Sequence, residues 1–105
     1  MYQNPVHLES DASVGRDAMT RASALIECHI EADPHRLGPG EARLKAFGVP
    51  VWALVGHMNA VHGERKRVAE DYEVPEEAVS AALAYYDQHR AAIDARLLAN
   101  AASFV

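Results

Sequence analysis

The stretch Arg65-Lys66-Arg67-Val68-Ala69-Glu70-Asp71-Tyr72-Glu73-Val74-Pro75-Glu76-Glu77-Ala78-Val79-Ser80-Ala81-Ala82-Leu83-Ala84 decides the fold. It reads as two helices joined by a short turn. Helices that cross steeply need a small residue where their backbones approach, and apolar residues at fixed offsets that meet in a shared core. Counted from Arg65, those offsets hold Val68, Ala69, Tyr72, Val74, Val79 and Ala82. Pro75 suits the start of the second helix, and Glu76 and Glu77 suit the positive end of its dipole. Glu73 stands where glycine would ordinarily supply a left-handed turn residue, so a turn of somewhat different shape is expected. The segment predicts a helix-turn-helix unit; two amphipathic helices of an unrelated bundle are the alternative.

Upstream, Trp52, Val55, Met58 and Val61 recur at a spacing of three and predict a short helix that Gly63 ends. Between Ala24 and Val51 the signals are those of strand and turn. Leu25-Ile26-Glu27-Cys28-His29-Ile30 alternates loosely and is closed by Asp33-Pro34 and Gly38-Pro39-Gly40; Arg43 to Val51 forms a second candidate strand. Together they predict an antiparallel β-hairpin or wing. Residues 1–24 are polar with isolated apolar side chains and predict a mobile or partner-dependent arm, with a short helix from about Val14 to Ala24. The folded domain is then residues 25–105.

Downstream, Ala78 to about Asn100 contains neither Gly nor Pro, which predicts one continuous helix of roughly six turns. Val79, Leu83, Tyr86, Arg90, Ile93 and Leu97 form a heptad-like seam along it. This seam outruns the helix-turn-helix core. Tyr86, Ile93, Leu97, Leu98 and Phe104 are therefore expected to bury against another chain, giving a homo-oligomer, a dimer in the simplest case, or a complex with a different protein. The alternative folds this extension back on the N-terminal arm. The fold class expected is mainly α: a helix-turn-helix core with a small N-terminal β-hairpin or wing and a long C-terminal helix.

With 105 residues, 50% of them hydrophobic and 24% charged, the chain has the composition of one globular domain, which excludes collagen-like and wholly disordered classes. A net charge of −5 excludes a nonspecific polyanion binder, which draws its affinity from a basic surface. Cys28 is the single cysteine, so no intrachain disulfide forms and a reducing, cytoplasmic location is expected. The longest apolar run, Val49 to Gly56, is interrupted by Pro50 and far too short to span a membrane.

The basic residues fall in two groups, Arg43 with Lys45 in the hairpin and Arg65-Lys66-Arg67 at the start of the first helix of the pair. These groups suit phosphate contacts by a wing and a first helix, with Ser80 as a polar reader on the second helix. The alternative is a solvated face on which Arg65, Lys66 and Arg67 pair with Glu70 and Asp71 at helical spacing. The second helix opens on Glu76 and Glu77, a poor charge pattern for a major-groove reader. His57 and His62 are five apart, off the spacing that puts two imidazoles on one helix face around zinc. No metal site, cofactor or catalytic constellation is expected.

His29-Ile30-Glu31-Ala32-Asp33-Pro34, then Phe47-Gly48-Val49-Pro50-Val51, then Ala69-Glu70-Asp71-Tyr72, and finally Pro75-Glu76-Glu77-Ala78-Val79-Ser80-Ala81-Ala82-Leu83-Ala84-Tyr85-Tyr86 resemble, in order, the motifs of the bacterial domain of unknown function 433 family. The resemblance covers about residues 26–90. It implies a winged helix-turn-helix, VapB-like antitoxin: a noncatalytic protein that neutralises a PIN-like ribonuclease toxin and represses its own operon by binding operator DNA as a dimer. This chain departs from the family's basic glycine-rich loop, for Gly38-Pro39-Gly40-Glu41-Ala42-Arg43-Leu44-Lys45-Ala46-Phe47-Gly48 places no arginine directly before Val49-Pro50. The competing reading from the residues is a homodimeric protein-interaction module with the same core and no DNA binding.

Overall fold

In the computed structural model, which describes residues 21–102, helix α1 covers residues 21–29 and runs directly into strand β1, Ile30–Glu31. The strand expected from Leu25 is thus helical up to His29. Its half-buried positions, Ala22, Leu25, Ile26 and His29, have the spacing of one helix face, which the loose alternation of the sequence obscured. The expected boundary after Ala24 falls inside α1. The rest of the arm, and most of the helix expected at 14–24, lie outside the described residues.

β1 pairs antiparallel with β2, Arg43–Leu44, in the register Ile30 to Leu44 and Glu31 to Arg43. The second strand is two residues rather than nine, because the chain turns at once: Gly48, with a left-handed φ of 69°, donates to the Leu44 carbonyl and Leu44 donates to that of Val49. A 3-10 turn, Pro39–Glu41, lies between the strands.

Helix α2, Val51–Ala60, buries Val51, Leu54, Val55 and Met58. Gly63 ends it as expected, at a φ of 82° with its N–H 2.8 Å from the Met58 carbonyl. Helices α3, Arg65–Tyr72, and α4, Glu76–Gln88, follow. Val68, Ala69, Val74, Val79 and Ala82 are all buried where they meet, and Tyr72 is half-buried. The turn differs from expectation. Glu73 adopts the left-handed conformation itself (φ 57°, ψ 48°), and Val74 donates to the Ala69 carbonyl at 3.0 Å, the hydrogen bond a glycine would support there.

The continuous C-terminal helix expected from Ala78 is instead two helices. α4 ends at His89 (φ −133°, ψ 37°), and α5, Arg90–Ala102, starts at once, with Ile93 donating to the His89 carbonyl at 3.0 Å. The bend turns α5 back onto α2 and the 3-10 turn, so that Ile93 is fully buried within the chain. Two glycines allow this approach. A Cβ on Gly40 would sit 3.0 Å from the Ala92 carbonyl oxygen, and one on Gly56 3.0 Å from a Leu97 methyl. Arg96 then pairs with Glu41 at 2.9 Å and lies over the Trp52 ring at 4.5 Å. The fold is mainly α with a small antiparallel hairpin, and among the described residues no helix is long and apolar enough to cross a membrane.

Candidate nucleic-acid interface

The crossing of α3 and α4 brings the start of α3 beside the second turn of α4. There Arg65 Nη1 lies 3.5 Å from Ser80 Oγ, at the outer limit of a hydrogen bond, and Lys66 is exposed beside it. Of the residues predicted to contact nucleic acid, Arg65 and Ser80 are brought together. Glu76 and Glu77 stand exposed at the same end of α4, so the edge carries both signs of charge.

Arg67 points elsewhere. Its Nε approaches Asp71 at 3.3 Å, one turn further on, as the solvated-face alternative expected. Asp71 also takes a contact from another element: His57 Nε2 of α2 is 2.7 Å from Asp71 Oδ2, and the His57 ring meets Tyr72 edge-on at 5.5 Å. The His57 contact first, and the Arg67 charge with it, hold the Asp71 carboxyl below the ordinary range.

The end of α1, next to the hairpin, meets α4 through a second imidazole and carboxylate, since His29 Nε2 lies 2.8 Å from Glu77 Oε2. The cations of the hairpin are turned to intrachain partners. Arg43 Nε donates to Glu31 Oε2 across the strand pair at 2.7 Å, and Lys45 Nζ donates to the Glu27 carbonyl at the end of α1. Lys45 also donates its backbone N–H to the His29 carbonyl at 2.8 Å. Arg43 is half-buried and Lys45 remains exposed.

The residues expected to meet another chain are dispersed by the bend at His89. Ile93 is 0% exposed, so it needs no second chain to cover it, which corrects the expectation for that residue, while Leu97 is half-buried beside Gly56. The Tyr86 hydroxyl hydrogen-bonds Asp94 Oδ1 at 2.8 Å, while Arg90 lies over its ring at 4.8 Å. Leu98 alone of the set is largely exposed, at 74%; Phe104 lies outside the described residues. The extension packs on α2 and the 3-10 turn of its own chain.

His29, His57, Asp71 and Glu77, which tie the helix-turn-helix to its surroundings, were not singled out as a group by the sequence. Their partners are 48 and 14 residues apart, and no local spacing marks such pairs. Among the described residues, no group of three or more His, Cys, Asp or Glu side chains could hold a metal ion. No protein-family profile, characterised protein or solved structure matches the chain.

Proposed function

We propose that the protein is an antitoxin-like helix-turn-helix protein that binds and neutralises a PIN-like ribonuclease toxin and represses its own operon by binding operator DNA. The observation that carries the DNA half is the edge at which Arg65 and Ser80 meet with Lys66 exposed beside them. A first helix that grips phosphate while the start of the second helix meets the bases needs both side-chain sets on one edge. The toxin half rests on the resemblance of residues 26–90 to an antitoxin family.

An acidic chain offers few cations to phosphate. With Arg65, Lys66 and Lys45 as donors, the logarithm of affinity falls with that of salt at a slope of about −3, shallow for a DNA-binding protein. Gel shift of the promoter region at low and moderate salt tests this reading. The double replacement Arg65→Ala with Lys66→Ala abolishes the shift if the edge is the contact; an undiminished shift removes the assignment. Co-purification with the product of the adjacent gene tests the other half, and a neighbour that is no nuclease and does not bind ends the toxin reading.

A homodimeric protein-interaction module without DNA binding is the second reading, and one observation favours it. Glu76 and Glu77 are exposed at the end of α4 that would approach the bases, while Arg43 is paired within the chain. Under this reading no promoter fragment shifts even at low salt, and the protein still sediments as a dimer.

A further inference from the structure

Asp33, Arg36, Glu41, Pro50, Trp52 and Arg96 line a cleft of about 200 Å3 where the loop after β1 meets the 3-10 turn, the start of α2 and α5. Two guanidinium groups and two carboxylates stand on its walls, which therefore carry no net charge. One pair of these charges is closed on itself. Arg96 meets Glu41 at 2.9 Å, the side chains being 21% and 20% exposed, and its guanidinium lies over the Trp52 ring at 4.5 Å. The other pair is open. Asp33 Oδ1 accepts the backbone N–H groups of His35 and Arg36, at 2.7 and 3.1 Å, which fixes the turn between them. Yet among the described residues the Arg36 guanidinium has no acceptor, and although Arg36 follows Asp33 by three positions the two side chains form no ion pair.

We infer that this cleft binds a free amino acid with a small side chain, in its zwitterionic form. A plain anion drawn to Arg36 meets the Asp33 carboxylate in the same turn, and a plain cation drawn to Asp33 meets Arg36, so each attraction is offset by a repulsion. A molecule that carries both charges on one α-carbon satisfies both walls. Its ammonium goes to the Asp33 oxygen that the turn leaves unused, and its carboxylate to Arg36, whose planar fork takes two carboxylate oxygens at once. Size sets the class. A cleft of about 200 Å3 has the volume of roughly seven waters of the liquid, below the roughly 300 Å3 from which sites for drug-sized ligands begin. Pro50 and Trp52 give it an apolar wall for a short side chain. Arg96 and Glu41, already paired, complete the walls without adding an open charge. The inference is independent of both the DNA and the toxin readings.

Trp52 is the only tryptophan of the chain, so its emission reports on the cleft directly in the full chain. Glycine, L-alanine, L-serine and L-valine are each titrated to about 10 mM, with emission and calorimetric heat followed in parallel. At least one is expected to give a saturable signal. For that amino acid, N-acetylation removes the ammonium charge and amidation removes the carboxylate charge, and each should weaken binding roughly tenfold or more. Arg36→Gln, at an exposed position, should weaken it as much with helical circular dichroism unchanged. No saturable signal from any of the four overturns the inference. An N-acetyl derivative that binds as tightly as its parent makes the cleft an anion site, and an amide that does so makes it a cation site; either result overturns the zwitterion. Undiminished binding by a folded Arg36→Gln puts the ligand elsewhere and overturns the assignment of this cleft.

Discussion

The two junctions that bracket α4 contrast sharply. The turn before it is written locally: Val74-Pro75 cannot continue a helix, Pro75 takes the N-cap, and the acidic pair Glu76 and Glu77 follows at the favourable end of the dipole. The break after it has no such mark, for Tyr85-Tyr86-Asp87-Gln88-His89-Arg90 contains no Gly or Pro. His89 leaves helical geometry there because the bend delivers Ile93 and Leu97 to α2. One junction is set by the residues that form it, the other by what lies four and eight residues beyond it.

Breaking the second junction therefore has the largest expected effect. Ile93→Asp places a carboxylate in a site that is fully buried and apolar, at a cost of several kcal/mol, enough to unfold a domain of ordinary stability. Ile93→Ala costs about 2 to 5 kcal/mol in urea denaturation. Leu98→Asp, on the opposite side of the same helix and 74% exposed, shifts monomer stability by no more than about 0.5 kcal/mol. Were Ile93→Asp to stay folded and merely dissociate a dimer, the intrachain role of α5 would fall.

Next in size is Gly40→Ala. Its Cβ would meet the Ala92 carbonyl oxygen at 3.0 Å, and that atom belongs to helix backbone, which cannot swing aside. A loss of about 1 to 3 kcal/mol is expected, read as a lower denaturation midpoint at an unchanged slope. Gly40→Ala together with Ile93→Ala should cost less than the sum of the two, since both loosen the same contact.

The first junction responds in the opposite direction. Glu73 holds a left-handed conformation that costs a non-glycine residue about 1 kcal/mol or more, while glycine there loses part of that gain to chain entropy. Glu73→Gly is expected to raise stability by up to about 1 kcal/mol, and Glu73→Val, β-branched, to lower it. A destabilised Glu73→Gly would mean that the glutamate side chain contributes to the turn.

This contrast also explains what was legible. The helix-turn-helix offsets and the end of α2 at Gly63 are local patterns, and each occupies its expected place, while of the expected hairpin only the short pairing of Ile30–Glu31 with Arg43–Leu44 is found. The bend at His89 and the two imidazole and carboxylate ties were not legible, because each depends on which elements become neighbours after folding. Leu25 to His29 was misread for a different reason: five residues of half-buried helix carry too few apolar positions to separate a period of 3.6 from one of 2. Among the basic residues, charge alone could not tell Lys66, which is exposed, from Arg43, whose strand partner is Glu31.

The smallest effect concerns the tie between α2 and α3, and it turns on the sign of a proton linkage. The carboxyl of Asp71 is held below its ordinary value of 3.8 by the His57 hydrogen bond first and by Arg67 second. A carboxyl whose folded pKa lies below its unfolded one binds protons more weakly in the folded state. Its contribution is accordingly complete above the unfolded value and is lost as pH falls below about 4, through the lower folded value. In Asp71→Asn that contribution is absent at every pH. The stability difference between wild type and Asp71→Asn should thus shrink as pH falls below about 4. His57→Gln should lessen the acid dependence, by removing the main cause of the lowered pKa. A difference that instead grew as pH fell below about 4 would show that the Asp71 carboxylate has no favourable partner in the folded protein.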